Sequence, residues 1–357
     1  MTKSSLSFLV LLSILVGCSD PFVEDSRDPG PGNPATRSLS SGLIEYLISV
    51  DEQSIIKESP NHYDLTRAFS DLVLEPHILE TLGPAINSGR GVFLYGDPGN
   101  GKTSIAKRIY KCFREEIFIP KTLLIEGQIV KLFDPQCHER SDRPEARPAT
   151  YDQRWVPIKR PAVIVGGEMD LSSVEINYNP TTKLCEAPMQ LKANCGIFVV
   201  DDFGRQRMKP EELLNRWILP LEKRIDFLTL PNGIKVQVPF DELIIFCTNI
   251  DPKNLLDEAF LRRIPYKIRV HDPSPEQFKG IMTFLAPRYG VECDDAMMNY
   301  ILQQHFDGKR PMRCCHPRDI LDQVVNAAAY RRVKPVLTRE LVDFACQSYF
   351  TAMESIR

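Results

Sequence analysis

The sequence predicts an α/β fold: a parallel sheet covered by helices on both faces, followed by a helical C-terminal region. Three observations predict it. The runs Gly91-Val92-Phe93-Leu94-Tyr95, Val163-Ile164-Val165, Ile197-Phe198-Val199-Val200 and Leu243-Ile244-Ile245-Phe246 are continuously apolar. That pattern suits strands buried on both faces rather than the alternation of a half-exposed sheet. Between them the spacing turns helical, as in Ser104 to Arg114, where Ile105, Ile109 and Phe113 share one face. After Asp272 the strand patterns stop, and helical patterns follow near 275–287, 295–306, 317–332 and 338–352.

Taken from the start of the chain, Lys3 precedes an apolar run, Leu6 to Gly17, with the proportions of a signal-peptide core and too short to span a bilayer as a helix. Leu15-Val16-Gly17-Cys18 resembles a bacterial lipobox. Residues 1–18 therefore read as a signal-like or anchor segment. The nucleotide motif described below favours a cytoplasmic protein, with membrane association through 1–18 or a misplaced start as explanations, over export. Asp28-Pro29-Gly30-Pro31-Gly32-Asn33-Pro34 reads as linker, and residues 41–58 as a short amphipathic helix. Residues 19–63 thus form a linker and an N-terminal helix.

The 357 residues are 43% hydrophobic and 25% charged, with a net charge of −3. This composition supports a sizeable core and argues against global attraction to nucleic acid. The ten cysteines are scattered, which fits a reducing compartment. Cys195 and Cys247 sit in apolar runs and read as core thiols. Cys314-Cys315-His316 lacks a second pair at finger spacing, which argues against zinc.

Gly96-Asp97-Pro98-Gly99-Asn100-Gly101-Lys102-Thr103 follows the first strand, and Ser104 opens the next helix. This is the pattern G-x-x-x-x-G-K-[ST]. Its glycines let the backbone curl so that N–H groups face phosphate oxygens, and the helix that follows presents its positive end. Lys102 would reach the β- and γ-phosphates, and the Thr103 hydroxyl would ligate Mg²⁺. Ile197 to Val200 runs into Asp201-Asp202. At such a strand tip Asp201 would hold Mg²⁺ and Asp202 would orient or deprotonate the attacking water. Asp202-Phe203-Gly204 spells a kinase motif by coincidence, since no H-R-D-x-x-x-x-N stands upstream.

With these motifs the chain resembles the AAA+ ATPases, a P-loop NTPase family. The resemblance covers roughly residues 64–335. It implies an α/β nucleotide domain over 64–272 and a helical lid over 273–357. Phe246-Cys247-Thr248-Asn249 resembles sensor 1, whose Asn249 would place the water. Leu256 to Ile264 resembles the segment carrying an arginine finger, with Arg263 first by register and Arg262 the alternate. His316-Pro317-Arg318-Asp319 resembles sensor 2, with Arg318 facing the nucleotide. The second acid departs from the commoner Asp-Glu pair, and Asp-Asp also occurs in replication initiators of the family. Asp226 to Val238 reads as a hairpin turning at Asn232-Gly233 and resembles the pre-sensor-1 hairpin of the branch holding the MoxR-like ATPases with chaperone activity. A second hairpin is expected over 174–191. Phe69 to Leu74 lies where the family holds adenine. The charged stretch 138–160, with Trp155, reads as a surface insertion of no assigned role.

The resemblance implies ATP and Mg²⁺ as ligands, a ring oligomer (a hexamer by family), and remodelling of a protein client. Two other functions stay open: a DNA-acting ATPase such as a helicase loader, and a nucleotide-switched scaffold with little hydrolysis.

Overall fold

The computed structural model describes residues 41–141 and 152–354. The signal-like segment with Cys18 and the linker at 28–34 lie outside these residues. Among the described residues, no helix is long and apolar enough to cross a membrane.

The described residues begin with helices α1 (Ser41–Glu52), α2 (His62–Ala68) and α3 (Pro76–Asn87), strand β1 (Val92–Tyr95) and helix α4 (Lys102–Ala106). Strands β2 (Glu116–Pro120), β3 (Thr122–Ile125), β4 (Gln128–Lys131), β5 (Trp155–Lys159), β6 (Ala162–Val165), β7 (Asn177–Asn179) and β8 (Leu184–Glu186) follow. Next come α5 (Met189–Lys192), β9 (Ile197–Val200), α6 (Pro210–Lys223), β10 (Ile225–Thr229), β11 (Lys235–Pro239) and β12 (Leu243–Thr248). The chain continues with α7 (Pro252–Leu255), α8 (Glu258–Arg263) and β13 (Tyr266–Arg269), then α9 (Pro275–Leu285), α10 (Asp295–Ile301), α11 (His316–Arg331) and α12 (Arg339–Glu354).

The central sheet has the order β13-β1-β12-β9-β6, with every pairing parallel. Its continuously apolar inner strands β1, β9 and β12 divide residue by residue between two cores, whereas the edge strand β6, expected to be buried on both faces, leaves Ile164 exposed. Val92, Leu94, Ile197, Val199, Leu243 and Ile245 face Leu82, Ile86 and Ile105 on one side. Phe93, Phe198, Val200, Ile244 and Phe246 face Leu213, Leu214 and Trp217 on the other. Because the side-chain period of a strand is two, a run can be buried throughout only when both faces are covered.

A second body of strands packs beside this sheet. It comprises the pair β2–β5, the sheet β3-β4-β8-β7 and the hairpin β10–β11, and α1 closes it with Leu43, Tyr46, Leu47 and Val50. Both expected hairpins are present, β7 with β8 and β10 with β11. At the second turn Gly233 carries the positive φ of 80° and its N–H returns to the Leu230 carbonyl.

Two expectations need correction. Residues 155–159 are not surface insertion: they form β5, paired with β2, and Val156 and Ile158 lie in the core. Arg160, charged yet buried, is ion-paired to Glu58 and donates to the Arg114, Gln53 and Cys195 carbonyls, which meets the requirement for burying a cation. The helix expected from Ser104 to Arg114 stops at Ala106, and a 3₁₀ turn takes Ile109–Cys112. At Arg108 the bonding pattern changes. Its guanidinium donates to the Ser104 carbonyl (2.8 Å), the acceptor its own backbone N–H would use, and that N–H goes to Ile105 instead. Ile105, Ile109 and Phe113 still share one core.

Helices α9 to α12 enclose their own core around Phe278, Met282, Ile301, Ile320, Leu321 and Phe350.

Candidate nucleotide site

The phosphate-loop motif sits where β1 ends and α4 begins, at the carboxyl edge of the sheet, where ligands of open α/β folds bind. Gly96 has φ 137°, and a Cβ there would lie 2.3 Å from the Val270 carbonyl oxygen. A side chain at 96 would therefore push the loop off β13. Lys102 curls back, its Nζ 2.9 Å from both the Gly96 and Asp97 carbonyl oxygens. Burial pulls its ammonium below the usual lysine range, against the opposing pull of Asp202, Asp201 and Asp97.

The sheet order explains how the other groups arrive. Strand β12 lies between β1 and β9, so its end delivers Asn249 between the phosphate loop and the acidic pair at the end of β9. The Thr103 hydroxyl lies 2.8 and 3.0 Å from the two Asp201 carboxylate oxygens. Asn249 Nδ2 is 3.4 Å from Asp202 Oδ1. Asp202 holds a left-handed φ of 49°, a conformation that costs a non-glycine residue of order 1 kcal/mol or more and clusters at functional sites. Phe203 anchors it, buried against Phe246 and Phe93 with centroids at 4.8 and 5.9 Å, while its N–H reaches the Cys247 carbonyl (2.7 Å). The Asp-Phe-Gly string is thus a sharp turn that swings Asp202 outward.

These groups line one cavity of about 620 Å³, within the usual range for small-molecule sites. Pro98 to Ser104, Asp201, Asp202, Asn249 and Arg318 all line it; Gly96 and Asp97 do not. Its apolar wall joins Leu72, Val73 and Leu74 to Ile281, Phe284 and Leu285 of α9. Arg108 pins the first segment by a forked bond to Asp71 (2.7 and 2.8 Å). Arg318, exposed at the start of α11, is turned by Asp319 (2.8 Å), which in turn accepts from the Tyr349 hydroxyl (2.6 Å).

Arg262 and Arg263 lie outside the cavity, at the end of α8. Arg263 is ion-paired to Glu222 (2.7 Å), whereas Arg262 is exposed. Three cavity arginines escaped the sequence reading: Arg108; Arg205, just past the acidic pair; and Arg288, whose guanidinium sits 4.3 Å over the Phe284 ring. Arg288 had one legible signal, its i,i+4 spacing from an aromatic residue.

The donor set at the loop, one hydroxyl and carboxylate oxygens, is the hard oxygen set that suits Mg²⁺. Among the described residues, no cluster of three or more histidine, cysteine or acidic side chains forms a dedicated metal cage. That is compatible with a metal held by one or two protein ligands plus substrate phosphates.

Residues 274–348 match a family described as a domain of unknown function, DUF8689. A protein of Acidianus two-tailed virus, described as uncharacterized protein ORF529, is 26% identical over an alignment of 240 residues, with 64% of this chain and 37% of the viral protein covered. Among solved structures, NtrX from Brucella abortus is similar at 15% identity with a TM-score of 0.48, covering 77% of this chain and 55% of that one. Its complex with ADP gives 14% identity and a TM-score of 0.47, covering 78% and 56%. The chain therefore spans little more than half of the NtrX chains and a smaller share of the viral protein. The site residues, rather than these likenesses, carry the functional reading.

Proposed function

We propose that the chain is an AAA+-type ATPase that binds ATP with Mg²⁺ in this cavity and hydrolyses it to ADP and phosphate. The observation that carries the proposal is the convergence of the Thr103–Asp201 contact and the Asp202–Asn249 contact at the end of the phosphate loop. Apolar walls from Leu72 to Leu74 and from α9 suit a purine base.

In this reading Lys102 leaves the Gly96 and Asp97 carbonyls and turns to the β- and γ-phosphates. Thr103 and Asp201 would hold Mg²⁺, which would neutralise charge on the phosphate oxygens. Asp202, aimed outward by its left-handed turn and near Asn249, orients the attacking water and accepts its proton. Arg318 faces the phosphates from the C-terminal helices, which act as a lid. The arginine finger comes from a neighbouring copy in a ring. Its candidates stay Arg263, first by resemblance, and Arg262, the more exposed of the two; the ion pair of Arg263 with Glu222 does not exclude it, just as the pair with Asp319 does not exclude Arg318. The hairpin β10–β11, immediately before β12, supports the pre-sensor-1 branch and remodelling of a protein client.

The nucleotide-switched scaffold stays as a second reading on one observation: the acid after Asp201 is an aspartate, one methylene shorter than the usual glutamate. Titrating ADP and a non-hydrolysable ATP analogue by calorimetry, with and without Mg²⁺, tests the binding site. Micromolar binding strengthened by Mg²⁺ supports it, and absence of binding for both nucleotides refutes it.

A further inference from the structure

A phosphate loop with three glycines at positive φ, Gly96, Gly99 and Gly101, has high backbone freedom and needs an external frame to stay curled. Much of that frame comes from the turn Arg313–Cys315, just ahead of α11. The Cys315 N–H donates to the Gly99 carbonyl (2.9 Å). The Cys314 N–H donates to Asn100 Oδ1 (3.2 Å). Asn100, buried, gives its Nδ2 to Asp272 (2.7 Å). The Arg313 Nη1 lies 3.0 Å from the Asp97 carboxylate and pairs with Asp272 as well. The approach is close: a Cβ on Gly99 would stand 2.7 Å from Cys315 Sγ.

The turn is itself anchored from behind. The Arg313 N–H donates to His316 Nδ1 (3.1 Å). The His316 ring packs against Phe306 and Phe350, each at 5.3 Å between centroids. Arg313 thus connects three places: the phosphate loop, the chain leaving β13, and the core of the C-terminal helices. A single exposed ion pair would contribute little. Here one guanidinium joins two carboxylates from separate segments, beside a buried amide that bonds both sides, and such networks exceed the sum of their pairs.

We propose that Arg313 is a positioning residue. By bridging Asp97 and Asp272 it latches the C-terminal helical region onto the phosphate loop, so that ordering the loop and docking the helices are one event. Arg313 does not line the cavity; it acts through the loop. When Lys102 turns to phosphate it abandons the Gly96 and Asp97 carbonyls, and Arg313 then remains as the cation at Asp97. By reciprocity, a ligand that orders the loop tightens the docking, and loss of the latch weakens the ligand. The inference rests on the nucleotide reading of the cavity.

The test uses the full chain with Arg313→Ala, Arg313→Lys, Asp97→Asn and the double variant Arg313→Ala/Asp97→Asn, with ADP and ATP as probes. Arg313→Ala is expected to raise the ADP Kd and the ATP KM about tenfold, with kcat changed by less than about threefold. Arg313→Lys should recover part of the loss, since a point charge cannot bridge two carboxylates as a guanidinium does. Asp97→Asn should shift both constants in the same direction by less. The double variant should be no worse than Arg313→Ala alone, and fully additive losses would overturn the latch. Hydrogen exchange of residues 96–101 without nucleotide separates this proposal from the reading it rests on. Arg313→Ala or Asp97→Asn should speed that exchange even if the wild-type chain binds no nucleotide. Unchanged exchange in both variants overturns the latch whatever the ATPase result.

Discussion

Acidification should loosen the C-terminal helices through His316, and the size of the effect follows from its surroundings. The imidazole is 4% exposed, and burial holds its pKa down to about 4, opposed by Asp319 and Asp272 and aided by Arg313 and Arg310. Its Nδ1 must be unprotonated to accept from the Arg313 N–H. Above about pH 6.5 both folded and unfolded chains carry a neutral ring, so the full stability is present. Between pH 6.5 and 4 the unfolded chain binds a proton that the folded chain refuses, and stability falls as the pH falls. The loss levels off near pH 4, at about 3 kcal/mol for a change of about 1.4 kcal/mol per pH unit across that window. Asp241 and Glu242, both raised by burial, titrate on their own account, so a comparison isolates the histidine. The amide introduced by His316→Gln can still accept from the Arg313 N–H and does not titrate. Melting temperature followed from pH 7 to 4 should fall more steeply in the wild-type chain than in His316→Gln. Parallel curves would refute the assignment of this slope to His316.

Further outcomes follow from the site. Asp202→Asn leaves Asp201 and Thr103 in place and should bind ATP while losing about a hundredfold or more in turnover; wild-type turnover would move the base elsewhere. Removing the finger, by Arg263→Ala or else by Arg262→Ala, should leave ATP binding nearly intact and lower turnover about a thousandfold. Mixing that variant with Lys102→Ala should restore phosphate release, because some interfaces in the mixed assembly pair an intact loop with an intact finger. If Arg263→Ala, and not Arg262→Ala, is complemented in this way, the finger is Arg263.

What was legible in the sequence depended on how locally the chemistry is written. The phosphate loop, Asp201-Asp202 and Thr248-Asn249 are short consecutive strings at strand ends, and the structure brings Pro98 to Ser104, both acids and Asn249 to one cavity. The burial of β1, β9 and β12 on both faces was equally legible, since continuous apolar runs have few other uses. The misses share a cause, a side chain whose role is set by a distant partner. Arg108, just past the end of its shortened helix, is held by Asp71 from an earlier segment. Arg160 is buried because Glu58 and three carbonyls await it. Strand β5, with Pro157 and charged neighbours, resembled an insertion because its partner β2 lies about forty residues back, and proline is tolerated in such a short two-stranded pairing. Arg313 precedes the Cys-Cys-His string that drew attention as a metal motif, and its Asp97 and Asp272 partners become neighbours when the chain folds.

The most direct test of the central claim is steady-state phosphate release from Mg-ATP by the wild-type chain and by Lys102→Ala, with nucleotide binding measured on the same samples. The wild-type chain is expected to bind ATP and release phosphate. Lys102→Ala, stripped of the charge that would reach the β- and γ-phosphates, is expected to bind weakly and release none above background. Equal turnover by the two, or a folded wild-type chain that binds no nucleotide, would contradict the claim.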